Sequence, residues 1–244
     1  MIDGRFKSIA LSDLFIPSSF IPDEYNSVIH ENLRRKEESL TLEDKTGMRG
    51  YVYCIHETKD GKKELLDHNH NHIVLNGRRW LMQRAVGSSL LETPDQHTYT
   101  LNWFGLGEGG ANSSDPLNPL YTPDNTEELT APIKIKGTIE TEGYTYDMSG
   151  YHKTFQKDED GRNAQMTYSA VNSEALALFH LIVDYNDCPY VAPSLGVKIS
   201  EMALYASPTE DRTETNFVMF SRYCMPIKYK SSSDKNIFLW FIYF

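Results

Sequence analysis

At 244 residues the chain is long enough for one large domain, and nothing in its length forces a second core. A net charge of −10, with Lys and Arg scattered rather than blocked, disfavours direct binding to DNA or RNA. The three cysteines, Cys54, Cys188 and Cys224, are odd in number and far apart, so they suit neither a disulfide framework nor a CxxC zinc site and are expected as buried free thiols.

In chain order, residues 1–48 differ from the rest. Pro17 and Pro22 bracket an apolar patch of Ile16, Phe20 and Ile21, and Glu31 to Glu38 is a charged stretch with almost no apolar stripe to bury, suited at most to a short helix. Apolar pieces separated by polar ones make no core of their own, so this region is expected as an extended N-terminal arm that docks on a neighbour. An N-terminal strand and helix packed on the same chain stays open as the alternative. Met1 to Phe6 has neither the basic start nor the apolar core of a secretion signal, and no apolar stretch reaches the ~20 residues of a membrane helix. The expectation is synthesis in a reducing cytoplasm with no membrane insertion.

Residues 49–244 read as one mainly-β domain. Tyr51 to His56 and Lys63 to Val74 form a hairpin about Asp60-Gly61, and Asn76-Gly77 then leads into a helix in which Trp80, Leu81, Ala85 and Leu90 share a face and Gly87 is the stop. Tyr99 to Gly110 is a strand running into glycines, Ser113 to Asn125 is a long loop, and Gly137 to Arg162 is a Tyr- and Gly-rich stretch of undefined form. Ala175 to Val183 is apolar throughout, with β-branched residues at its end, which favours a central strand over a helix. After Ile199 to Tyr205 come two final strands, Phe217 to Lys228 and Ile237 to Phe244, joined at Ser231 to Asp234 and expected to pair as a closing hairpin. The last run is so rich in aromatic and β-branched residues that it reads as a strand buried on both faces. Short strands separated by turns point to a β-sandwich with one inserted helix.

Several motifs in this order resemble tailed-bacteriophage virion proteins of the tail, baseplate and fibre-attachment kind. They are Ile73-Val74-Leu75-Asn76-Gly77-Arg78, Trp103-Phe104-Gly105-Leu106-Gly107, Ser113-Ser114-Asp115-Pro116-Leu117, Ile199 to Tyr205, and Phe220 to Lys228 followed by an aromatic strand. The likeness spans residues 70 to 244 and lies in the order of motifs, since each alone is weak. Ala203 departs from it, standing where glycine is common. The resemblance implies a non-enzymatic structural protein without cofactors, located in the virion and assembling with itself and with other virion proteins. Arg222 is expected to satisfy carbonyls or Glu201 beneath the sheet. Gly105, Gly107, Gly109 and Gly110 would let the backbone turn sharply and pass close to another chain.

Among candidates for chemistry, His68, His70 and His72 come first. On an extended strand alternate residues share a face, about 7 Å apart, too far for one chain to hold one ion but suited to one ligand per chain around a symmetry axis. Iron, zinc or nickel would suit such a site, and the opposing reading is a polar strand face. Gly105 to Gly110 lacks the spacing and following helix of a phosphate loop. Glu127-Glu128 and Asp158-Glu159-Asp160-Gly161-Arg162-Asn163 read as solvated loops rather than glycosidase carboxylates or a calcium loop. The aromatic region 137–170, with its cluster of Tyr144, Tyr146 and Tyr151, would be the contact surface if the protein were instead a receptor- or glycan-binding module of a tail fibre. A tail-associated glycan hydrolase is the remaining class, although no GxSxG, HExxH or Cys-His-Asn arrangement is present.

Overall fold

The computed structural model describes residues 21–33, 48–86, 98–141, 144–157, 160–169, 174–185, 187–188, 196–208 and 216–244. In chain order the elements are helix α1 (Asp23–Leu33), strands β1 (Arg49–Thr58) and β2 (Lys63–Ile73), helix α2 (Leu75–Val86), then β3 (Thr100–Gly107), β4 (Ala111–Asn112), β5 (Asp115–Pro119), β6 (Pro132–Ile133), β7 (Ile135–Thr141), β8 (Tyr144–Gly150), β9 (Lys153–Thr154), β10 (Gln165–Ser169), β11 (Glu174–Val183), β12 (Val197–Ser207), β13 (Val218–Lys230) and β14 (Asp234–Tyr243). The mainly-β expectation holds. A ten-stranded antiparallel sheet runs β10-β11-β14-β1-β2-β13-β12-β3-β6, with β9 beside β3, and β4–β5 and β7–β8 are separate two-stranded ribbons.

This sheet is continuous and curls on itself. β2 bonds to β1 from Lys63 to Asn71, then changes partner and meets β13 only through His72 and Ile73. The change of partner turns the sheet, so both halves bury one core. Val52, Phe179 and Trp240 from one half lie with Phe104, Met202 and Tyr223 from the other. Residues 153–156 lace the far ends together. Lys153 and Thr154 pair with β3, and the Gln156 N–H donates to the His180 carbonyl of β11 at 2.9 Å. Phe155 is thereby driven inward, edge-on to Phe179 at 5.2 Å and stacked with Phe104 at 6.4 Å.

The β1–β2 hairpin forms as expected because Gly61 takes φ 81°, a backbone that the short turn requires and a side chain resists. The closing hairpin does not form. β13 lies between β2 and β12, whereas β14 lies between β1 and β11. Ser231, Ser232 and Ser233 supply no residue suited to positive φ, so the chain turns a corner instead of doubling back. The buried Lys230 ammonium holds that corner, donating to the carbonyls of Ser231 at 3.2 Å and Asp234 at 2.8 Å.

The final strand is buried on both faces, as its composition predicts. Phe238, Trp240 and Ile242 point into the shared core, and Ile237, Leu239 and Phe241 point outward beneath Ile21, Tyr25 and Ile29. Residues 21–33, expected within an arm docked on a neighbour, therefore cover the chain's own sheet, and the helix begins well before Glu31. Spacing by four puts Tyr25 and Ile29 on one face of α1, Ile21 lies just before the helix, and Asp23 and Glu24 favour its first turn. In α2 the buried positions are Gly77, Trp80 and Gln83, whereas Ala85 is exposed, correcting its expected place on the apolar face. Leu90 and Gly87 lie outside the described residues, as does most of the segment 1–48 beyond α1.

Candidate functional site

The outer face of the β3–β12–β13 half carries a buried polar centre. Glu201 on β12 is 0 % exposed. Its Oε1 accepts the N–H of Gly109 at 2.9 Å and of Ala131 at 3.0 Å, and its Oε2 accepts the Thr130 N–H at 3.3 Å together with Nη2 of the Arg222 guanidinium. Nη2 also donates to Thr130 Oγ1 at 3.0 Å. Of the two partners expected for Arg222, carbonyls or Glu201, the structure has Glu201, and the pair fastens both ends of the 109–131 excursion to the sheet. Gly109 and Gly110, which open that excursion, pass close to this chain's own atoms. A Cβ on Gly110 would meet the Ser200 carbonyl oxygen at 1.8 Å, and one on Gly109 would meet Thr130 Cβ at 2.4 Å. Ala203 sits opposite Gly105 and Arg222 at 0 % exposure.

Beside this centre, the start of α2 meets the strands. Gly77 lies so near β13 that a Cβ would stand 2.1 Å from the Phe220 carbonyl oxygen, which explains the glycine of the Asn76-Gly77-Arg78 motif. The carboxylate of Asp124 accepts from His72 Nε2 at 2.7 Å and Arg78 Nη2 at 2.9 Å, and the Asp124 carbonyl accepts the Leu75 N–H at 2.7 Å. The hydrogen bond from His72, with Arg78 behind it, holds the Asp124 carboxyl below the usual carboxylate range. Tyr121 is 79 % exposed, with its ring 6.1 Å from that of His72. Loop composition alone carries no signal for Asp124 or Tyr121, because the contacts that select them come from α2 and β2.

His68 and His70 share the other outer face with the tyrosines of β1. Tyr51 Oη is 2.6 Å from His68 Nδ1, and the Tyr51 ring meets His70 edge-on at 5.1 Å. All three histidines lie on one strand as expected, but β2 is interior to the sheet and their rings are engaged within the chain. Among the described residues no group of three His, Cys, Asp or Glu side chains converges as a metal site would. A further histidine with no sequence signal, His152, stacks on Phe217 at 4.0 Å and meets Tyr205 edge-on at 4.6 Å, and burial pushes its pKa down to about 4.

Cys54, Cys188 and Cys224 are free thiols, the first two buried and the third half-buried, and burial raises the pKa of each. Glu127 and Glu128 are exposed, and Glu127 Oε1 accepts from Asn76 Nδ2 at 3.4 Å. Asp158 and Glu159 lie outside the described residues, as do the side chains of Tyr144 and Tyr146, whereas Tyr151 is exposed. Among the described residues no helix is long and apolar enough to cross a membrane. Comparison of the chain with protein-family models, with curated proteins and with solved structures finds no match.

Proposed function

We propose that this protein is a structural, non-enzymatic component of a tailed-phage virion, in the tail, baseplate or neck, assembling with copies of itself and with neighbouring virion proteins. The observation that supports this reading is the role of the motif residues. Gly77 makes a close backbone approach, Glu201 and Arg222 neutralise each other, and Glu201 accepts the N–H groups of Gly109, Thr130 and Ala131. These residues are engaged in holding strands and loops together, which is the chemistry of a scaffold. Tyr121 and Leu117, 79 % and 75 % exposed, offer apolar surface of the kind that protein contacts cover.

Mass spectrometry of purified particles tests the reading. The chain is expected at a fixed copy number relative to other virion proteins, and its absence from particles would overturn the proposal. Binding of particles to host glycans that is lost on changing Tyr151 would favour the fibre receptor-binding role instead.

A further inference from the structure

The crossing at residues 153–156 borders a polar cavity at one end of the curled sheet. Lys153 and Thr154 pair with β3, Gln156 bridges to His180 on β11, and the cavity lies between them and Ile182, Asp184 and Lys235 at the ends of β11 and β14. Its volume of about 190 Å³ exceeds what one water needs and suits one small molecule. Small-molecule sites form in comparable places at the mouths of β-barrels. Both signs of charge face this cavity, and most of that charge is already paired. The Lys153 ammonium donates to the Asp187 carboxylate, and Lys235 Nζ meets Glu57 Oε1 at 2.7 Å. Asp184 adds a third carboxylate, whose Oδ1 accepts the Tyr185 N–H at 2.8 Å. Two cations against three carboxylates leave no positive excess to hold an anion, and a bound cation would face both ammonium groups. Hydrogen-bonding capacity is what remains. An ammonium carries three donors, of which each lysine commits one to its carboxylate, while the Gln156 amide and the Thr154 hydroxyl both donate and accept.

We propose that this cavity binds a neutral, polyhydroxylated ligand, a single monosaccharide unit. A sugar hydroxyl donates and accepts at once, so one hydroxyl gives its proton to Asp184 while accepting from Lys235, and the C–H face of the ring lies on Ile182. Such a ligand reproduces the hydrogen bonds of the waters it displaces, which is the condition for displacing them without loss. It also leaves the Lys153–Asp187 and Lys235–Glu57 pairs whole, whereas an ionic ligand would have to take a partner from one of them and strand the other charge. The inference rests on the cavity and its lining, and it stands apart from the virion role and from Tyr151, which does not line the cavity.

Saturation-transfer difference NMR on the full chain tests the site. The neutral probes are methyl glucoside, methyl galactoside and N-acetylglucosamine, and glucuronate and glucosamine are the anionic and cationic counterparts. At least one neutral sugar is expected to bind, more tightly than either charged one, with the millimolar affinity usual for a ligand of so few atoms. Asp184→Asn is expected to weaken that binding about tenfold and Gln156→Ala about threefold, each with an unchanged melting transition. Gln156 is exposed, so its variant keeps the test open should the change at Asp184 disturb the fold. Saturation of no neutral sugar, tighter binding of either charged sugar, or an affinity unchanged in both variants would overturn the proposal. Particle composition is read separately, so a chain absent from virions would refute the virion role and leave the sugar site standing.

Discussion

Replacing Arg222 with Met removes the side-chain cation bonded to Glu201 while keeping most of the buried volume. The carboxylate, 0 % exposed, would keep the N–H groups of Gly109, Ala131 and Thr130 but lose its counter-charge. Breaking a buried pair from one side costs about 3–5 kcal/mol. For a chain of this size each kcal/mol lowers Tm by about 2–4 °C, so the melting transition is expected to fall by about 6–20 °C. Calorimetry or circular dichroism reads the shift. A second variant separates two explanations of it. In Glu201→Leu/Arg222→Met neither charge remains, but three backbone N–H groups lose their acceptor, at about 1–3 kcal/mol each. The double variant is therefore expected to be no more stable than the single one. A change below about 2 °C for Arg222→Met, or recovery of full stability in the double variant, would refute the account of Glu201 as the anchor of the 109–131 excursion.

The His152 ring stays neutral in the folded state down to about pH 4, whereas the unfolded chain takes up the proton near the ordinary 6.5. The unfolded state thus binds more protons between those values, and stability is expected to fall by up to about 3 kcal/mol as pH drops through that window, an effect His152→Phe should reduce; parallel pH profiles for the two proteins would contradict it. Trp240→Ala, at a position with 0 % exposure, is expected to cost about 3–5 kcal/mol in urea denaturation, and a loss below about 1 kcal/mol would show that the core collapses around the cavity. Gly77→Ala is expected to destabilise through its clash with the Phe220 carbonyl, and an unchanged denaturation midpoint would mean that α2 shifts freely. Elemental analysis of the purified protein is expected to find iron, zinc and nickel far below one per chain, with any self-association indifferent to chelators. Stoichiometric metal that leaves at low pH together with the oligomer would establish His68, His70 and His72 as ligands at a symmetry axis.

Local chemistry determined much of this protein from the sequence alone. Asp60-Gly61 set the first hairpin, the β-branched end of the Ala175 to Val183 run selected strand over helix, and the two-sided apolar pattern of Ile237 to Tyr243 required cover on both faces. Glu201 was legible as one of two partners for Arg222, the other being backbone carbonyls, and the choice came from the structure. What covers the second face of β14 was not legible, since Ile21, Tyr25 and Ile29 are too few to declare their docking site. Strand order was likewise decided only by the tertiary structure. Consecutive strands joined by a short turn ordinarily pair, yet β13 and β14 part at the Ser231–Ser233 corner because β1 and β2 stand between them. The Asp124–His72–Arg78 contacts arise the same way, from three segments with no shared local pattern that meet only once β2 changes partner and the sheet curls. Side-chain periodicity reports which face of an element is buried, but it carries no term for which distant element does the burying.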